Sequence, residues 1–340
     1  MEKKQITIWI LHAGIEHPSP YFYNFCRELS AYNNFEFIIN PDLPSNKKVN
    51  NGIIYFNRLK RFYNSNDINT ANKFLDKIDH LKQIGWKIVW TIHNFFPIDR
   101  NLSDVDEFIT KEFINKCDLV FTLSEYMAKS INKHYNVVAI NHGVGVNMVN
   151  SDDINPSIKK LKKSKRFTFT FIGNIYKYKM LDYVIASFNR TKDSRLIIAG
   201  KEAKNANVNI DKLIKNNKNI IFINSFITKK DWDKLSKLTD VFISVYNLDL
   251  PAFKYGFFPS NFINISKTGI KCISPKSKIF EELISREQII TYDFEDKNGL
   301  YNAMIEAKTL NCNRVNINQE YDYTWDKVVK IFVDNCNKLF

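Results

Sequence analysis

Glycine and proline are scarce in this chain, at 10 and 9 residues out of 340, while asparagine and lysine recur throughout. Also missing is any apolar run approaching the roughly 18–20 residues needed to cross a bilayer. The start of the chain lacks the layout of a signal peptide, because a strand-like pattern follows Met1–Lys4 directly, and a cytoplasmic location is expected. The five cysteines, Cys26, Cys117, Cys272, Cys312 and Cys336, are scattered, odd in number and free of any C-x-x-C pair. That pattern argues against a disulfide framework and a zinc site, and leaves the cysteines as small buried hydrophobes. Neither a Walker A loop nor a G-x-G-x-x-G fingerprint occurs. Acidic residues are in deficit: 36 Asp and Glu against 49 Lys and Arg leave a formal charge of +13. Such an excess points to an anionic partner or surface, whether nucleic acid, lipid headgroups or a phosphorylated substrate. Charge does not choose among these, and the Asn- and Lys-rich composition accounts for the basicity equally well. The densest basic run, Lys159–Arg166, lies between two apolar segments and reads as a solvated connection.

What is present is a repeated strand–helix grammar in a chain longer than one core usually supports. In the first half, strands are expected at Ile6–Leu11, Phe35–Ile39, Ile53–Phe56, Lys87–Ile92, Leu119–Leu123 and Val137–Ile140, with helices at Tyr21–Tyr32, Ala71–Ile84, Val105–Lys116 and Glu125–His134. After the basic run the grammar restarts, with strands at Phe167–Ile172, Arg195–Ala199, Asn219–Ile223, Asp240–Val245, Lys271–Ser274 and Gln288–Tyr292. Alternation of this kind predicts an α/β protein with parallel sheets covered on both faces. The expected layout is an N-terminal Rossmann-like domain over 1–150, a basic linker over 151–166, a second Rossmann-like domain over 167–320, and a last segment over 321–340. That segment carries an amphipathic helix, Trp325–Leu339, whose apolar face must dock on something.

Open parallel sheets bind ligands at the carboxyl ends of their strands, which directs attention to particular loops. Gly173-Asn174-Ile175-Tyr176-Lys177-Tyr178-Lys179 follows one strand and precedes a helix. Its glycine permits close approach of the backbone, and Lys177 and Lys179 can meet a diphosphate; a strand, a Gly turn and surface lysines are also common without any ligand. Further on, Phe258–Pro275 (FPSNFINISKTGIKCISP) reads as a helix between strands. Ser260 and Asn261 stand at its opening, where unpaired N–H groups and the helix dipole suit a phosphate, and where Ser260 can equally be a plain N-cap. Glu281 and Glu282 open a later helix and are either ligand contacts or favourable dipole partners.

Taken in order, Gly173–Lys179, RLIIAG, IIFINSFITKKDWDKLSKLTDVFISVY and PSNFINISKTGIKCIS resemble the donor half of GT-B glycosyltransferases. The likeness is to bacterial family 4-like enzymes of capsule, O-antigen and exopolysaccharide assembly, which carry G-x-I-x-x-Y-K-G and P-S-K-x-x-E-Y-x-x-x-G-x-P-V elements. SPYFYNFCRELS, VWTIHNFFPID and CDLVFTLSEYM resemble the other half. Met180, Asn261 and Asn264 stand where that pattern has Gly, Lys and Glu; Asn264 can still accept a hydroxyl hydrogen bond, without charge assistance. The resemblance implies two domains facing across a cleft, with the last helix returning to the first domain. It also implies a nucleotide base against the Asn224–Thr228 loop (Phe226 and Ile227 included), a diphosphate near Gly173, Asn174, Lys177, Lys179, Ser260 and Asn261, and a ribose near Asn264, with Glu282 touching ribose or sugar.

On the acceptor side, His93-Asn94 follows a strand at its carboxyl end, and Asp99 lies shortly after. His93, Glu16 with its neighbour His17, and Asp99 are the base candidates, His93 being equally able to stay neutral and structural. His142-Gly143 opens another such loop. The expected activity is transfer of a hexosyl group from a nucleoside diphosphate sugar, UDP-linked by preference, to a glycan or a polyprenyl-diphosphate-linked acceptor. No metal or other cofactor is expected, since the Asp-x-Asp considered for a divalent ion, Asp231-Trp232-Asp233, reads as the exposed start of a helix. The excess charge is expected to hold the enzyme peripherally at the inner face of the plasma membrane. Two alternatives remain: a nucleotide-sugar epimerase of the same plan, needing no acceptor, and a basic nucleic-acid-binding protein, disfavoured because no nucleic-acid module is legible.

Overall fold

The computed structural model describes residues 5–12, 20–45, 49–132, 135, 137–143, 153–203, 206, 209–215, 217–310, 314–315 and 324–340. The chain divides into two compact units, one comprising Met1–Gly145, Leu250–Phe258 and Tyr323–Phe340, the other Val146–Asp249 and Pro259–Asp322. Each is built on a six-stranded sheet, and every strand pair is parallel.

In the first unit the strands are β1 (Ile6–Leu11), β2 (Phe35–Asn40), β3 (Gly52–Phe56), β4 (Trp86–Ile92), β5 (Leu119–Thr122) and β6 (Val138–Ala139), in the order β2-β1-β3-β4-β5-β6. The second unit has β7 (Phe167–Ile172), β8 (Ser194–Ala199), β9 (Ile220–Ile223), β10 (Val241–Ile243), β11 (Cys272–Pro275) and β12 (Ile289–Tyr292), ordered β12-β11-β10-β7-β8-β9. In each, the chain builds outward on one side of its first strand and then returns to the other side. The reversal leaves a crevice at the carboxyl ends of β1 and β3 in one sheet and of β7 and β10 in the other. Helices cover both faces, which is why β3 is buried along its whole length and its sequence, GIIYF, is apolar without alternation.

The last helix, Trp325–Cys336, belongs to the first unit. Phe332 sets its ring 4.8 Å from Phe25, 5.1 Å from Tyr55 and 5.3 Å from Phe121, so the amphipathic face finds its partner on that sheet. Cys26, Cys272 and Cys336 are buried and free, and Cys117 is half-buried and free. Among the described residues no helix is long and apolar enough to cross a membrane.

Two expectations change. The helix expected within Phe258–Pro275 is only Asn261–Ser266, preceded by a 3-10 turn at Pro251–Tyr255 that goes with the first unit. The supposed linker is anchored to the second unit, because Asn155 caps a short helix, Pro156–Lys159, and Ile158 is fully buried. Lys163 pairs with Asp240 at 2.6 Å and Arg166 bonds Asn219, so the basic run is solvent-exposed, as expected, and also tethered to that unit.

Candidate functional site

In the second unit, the crevice between β7 and β10 is lined by the loop expected to meet a diphosphate. Gly173 turns the chain out of β7 at φ +113°, a conformation few residues but glycine adopt, and a Cβ there would sit 2.3 Å from the Asn261 amide nitrogen. Asn261 Nδ2 instead donates to the Ile172 carbonyl at 2.8 Å, tying the short helix to the end of β7. A 3-10 turn, Lys177–Lys179, follows, and Met180 takes a left-handed conformation (φ 47°, ψ 45°) to launch the helix Leu181–Asn189. This is the position where the resembled pattern has glycine. The turn separates the two lysines: Lys177 is exposed, whereas Lys179 is 7% exposed with Nζ 5.9 Å from the Phe171 ring centroid. Burial pulls the Lys179 pKa down to about 8, and among the described residues no hydrogen bond or ion pair holds its ammonium. The Tyr178 carbonyl accepts from Asn247 N at 2.8 Å, and the rings of Tyr176, Tyr178 and Tyr246 stack in a row, joining this loop to the segment after β10.

The other donor-side candidates are more dispersed. Asn174 and Ser260 are exposed, and Ser260 has helical backbone angles with no capping bond from its hydroxyl, so it is not the plain N-cap. Asn264 and Glu282 are half-buried on the helices Asn261–Ser266 and Lys278–Leu283, which pack through stacked Phe262 and Phe280, 4.7 Å apart. Phe226 is 59% exposed and Ile227 half-buried after β9, two strand spacings (roughly 10 Å) from β7. Asn224 anchors that loop by accepting from Glu202 N at 3.1 Å.

Asp231 is not exposed. It is fully buried, completes a capping box with Thr228, and accepts from Asn155 N at 2.7 Å, while Asp233 is exposed. The T-x-x-D spacing that makes such a box was present in the sequence. Among the described residues no group of three His, Cys, Asp or Glu is placed to hold a metal ion.

In the first unit, His93 follows β4 and sits in a mostly aromatic pocket. Burial, helped by the nearby Arg58 and His142, pulls its pKa down to about 3, so the ring is neutral at pH 7. Its Nε2 lies 3.4 Å from Asn57 Oδ1, and Tyr21 packs edge-on at 4.6 Å. The Tyr21 hydroxyl is 3.4 Å from that of Tyr55, which is 2.8 Å from Thr91 Oγ1, and burial pushes Tyr21 up to about 12. His142 stacks on Phe258 at 5.0 Å, and burial lowers its pKa to about 4 despite the Nδ1–Gly143 carbonyl contact at 2.9 Å. Gly143 allows Trp325 to close over it, since a Cβ there would lie 2.3 Å from the indole. Tyr21 and His142 therefore lie by the histidine that the sequence singled out, and Trp325 packs on both of them.

Asp99 is committed elsewhere: burial would raise its pKa, but the Lys60 ammonium at 2.5 Å outweighs that and holds it below the usual range. Glu16 and His17 lie outside the described residues. Asn57 and Arg58, directly after β3, were not singled out by the sequence. Applying the strand-end rule to Ile53–Phe56 as well would have found them.

Residues 153–319 match the family described as Glycosyl transferases group 1. The matched stretch covers most of the second unit. No curated protein matches the sequence. Among solved structures, sucrose-phosphate synthase from Thermosynechococcus elongatus is similar over 99% of both chains at 11% identity, with a TM-score of 0.69. A glycosyltransferase from Rickettsia africae is similar over 99% of this chain and 98% of that one at 12% identity, TM-score 0.65. HepE from Anabaena in complex with UDP and glucose is similar over 98% of each chain at 11% identity, TM-score 0.60. The fold is GT-B, with two Rossmann-like domains.

Proposed function

We propose that this chain is a hexosyltransferase that takes a sugar from a UDP-linked donor and passes it to a glycan or a polyprenyl-diphosphate-linked acceptor in surface polysaccharide synthesis. One observation carries the reading: Lys179 sits buried at the strand-order reversal of the stretch that matches group 1 glycosyltransferases, with no anion against it among the described residues. An ammonium desolvated in this way is disfavoured alone and favoured beside a diphosphate. Lys177 and the Gly173 loop complete the diphosphate site, the Asn224–Thr228 loop with Phe226 and Ile227 takes the base, and Asn264 and Glu282 lie toward ribose and sugar. HepE, similar in fold, was solved with UDP and glucose, which favours uridine and a hexose.

Transfer rests on orienting two substrates and neutralising the departing diphosphate, so no metal takes part. His93, neutral at pH 7, receives the acceptor hydroxyl. The net charge of +13 holds the protein at an anionic membrane face on the cytoplasmic side.

Thermal unfolding in the presence of a panel of nucleotide sugars tests the reading, followed by transfer from the stabilising donor to lipid-linked and soluble acceptors in EDTA. A UDP-sugar at 100 times its dissociation constant should add about 2.7 kcal/mol. Stabilisation by none of them, or sugar isomerisation without an acceptor, contradicts the proposal.

A further inference from the structure

The strand-order reversal of the first unit lies between β1 and β3, and the segment leaving β3 there is Asn57-Arg58-Leu59-Lys60-Arg61. Leu59 is buried and its carbonyl accepts from Phe62 N at 2.9 Å, so the segment is a pinned turn. Its three cations are not equivalent. Lys60 is paired with Asp99 at 2.5 Å, and the Arg61 guanidinium lies 4.8 Å from the Phe62 ring centroid. Arg58 is exposed and, among the described residues, has no hydrogen bond, ion pair or ring partner, yet it is close enough to His93 to act on it electrostatically.

Asn57 supplies a second, independent observation. Its Oδ1 faces His93 Nε2 at 3.4 Å, but its Nδ2 is buried with no hydrogen-bond partner among the described residues. Buried amide donors are normally satisfied, and an unsatisfied one on the residue next to Arg58 calls for an oxygen-rich group. With Nε2–H donating to Asn57, the other ring nitrogen of His93 is left to accept a hydroxyl proton.

We propose that Arg58 and Asn57 form an anion subsite for a phosphate ester or diphosphate on the acceptor, holding its free hydroxyl toward His93. A guanidinium binds phosphate through two parallel hydrogen bonds, and the amide adds a third. The role of the hydroxyl rests on the glycosyltransferase reading; the anion subsite does not. Arg58 is a binding and positioning residue here.

Calorimetric titration with inorganic phosphate, glucose 6-phosphate and geranyl diphosphate, each with UDP saturating so that the donor site is filled, tests it. At least one of the three is expected to bind, and Arg58→Ala to weaken it tenfold or more, with partial recovery in Arg58→Lys and no change in Arg61→Ala. Preference for glucose 6-phosphate identifies a soluble sugar phosphate, and preference for geranyl diphosphate a lipid-linked diphosphate. A phosphate applied to the wild type should also raise the pKa of the His93 imidazole, followed by NMR, and fail to do so in Arg58→Ala. Equal affinity in the wild type and Arg58→Ala, no binding of any of the three, or binding of glucuronate in their place overturns the assignment. If UDP itself does not bind, the donor reading fails alone, and the same titrations without UDP still decide the subsite.

Discussion

Both sheets reverse strand order near a base whose charged form is penalised by desolvation, and the penalty leads to different chemistry in the two places. In the second unit a lysine falls to about 8 and keeps its charge at neutral pH. In the first, His93 and His142 fall to about 3 and 4 and lose theirs. The penalty on a charged form is of one kind; the starting value decides whether the charge survives. One pocket therefore offers a poorly solvated cation to an anion. The other offers neutral hydrogen-bonding rings and leaves positive charge to the exposed Arg58.

Acid pH should expose the first half of that contrast most strongly. Both histidines have folded values below the usual 6.5, so the unfolded chain binds the extra protons. Their penalty is absent above about pH 6.5 and grows as pH falls toward 4, on the order of 2–3 kcal/mol for each ring by then. Urea unfolding between pH 7 and 4 should show this loss, and His93→Asn and His142→Asn should each flatten it. Unchanged slopes would mean that the rings are already solvated.

A smaller effect sharpens the picture of the Lys179 turn. Met180 holds a left-handed conformation that costs a non-glycine residue about 1–2 kcal/mol, and it gains part of that back by packing against the core of the second unit. Met180→Ala loses the packing and keeps the strain. Met180→Gly loses both, and should be more stable than the alanine variant by about 1 kcal/mol in chemical denaturation, opposite to the usual ranking within a helix. The reverse order would mean that the turn relaxes.

Strand positions were legible to within one or two residues because buried parallel strands read as short apolar runs, as in FTFTFI and GIIYF. The order strand, glycine, lysines, helix also marked the loop that carries Lys179. Which lysine is buried was not legible: Lys177 and Lys179 are the same residue type two apart, and a 3-10 turn with a left-handed Met180 sorts them. Likewise, nothing local shows that β3 lies beside β1, the pairing that puts Arg58 at the reversal. Tyr21 packs on His93 and Trp325 packs on Tyr21 from the other end of the chain, so only the assembled unit brings the three into one cluster.

Lys179 is held for a ligand at the expense of the fold, and a paired measurement on Lys179→Met tests this. Its folded value lies below the ordinary 10.5, so its penalty is full below about pH 8 and is relieved as pH rises toward 10.5, about 3 kcal/mol in all. Methionine fills much of the same space without the charge. Denaturation at pH 7 should show the variant more stable by about 1–3 kcal/mol, and calorimetry should show UDP bound roughly 10–100-fold more weakly, as expected on losing a charge-assisted contact. A variant that is less stable, or that binds UDP as the wild type does, contradicts the claim.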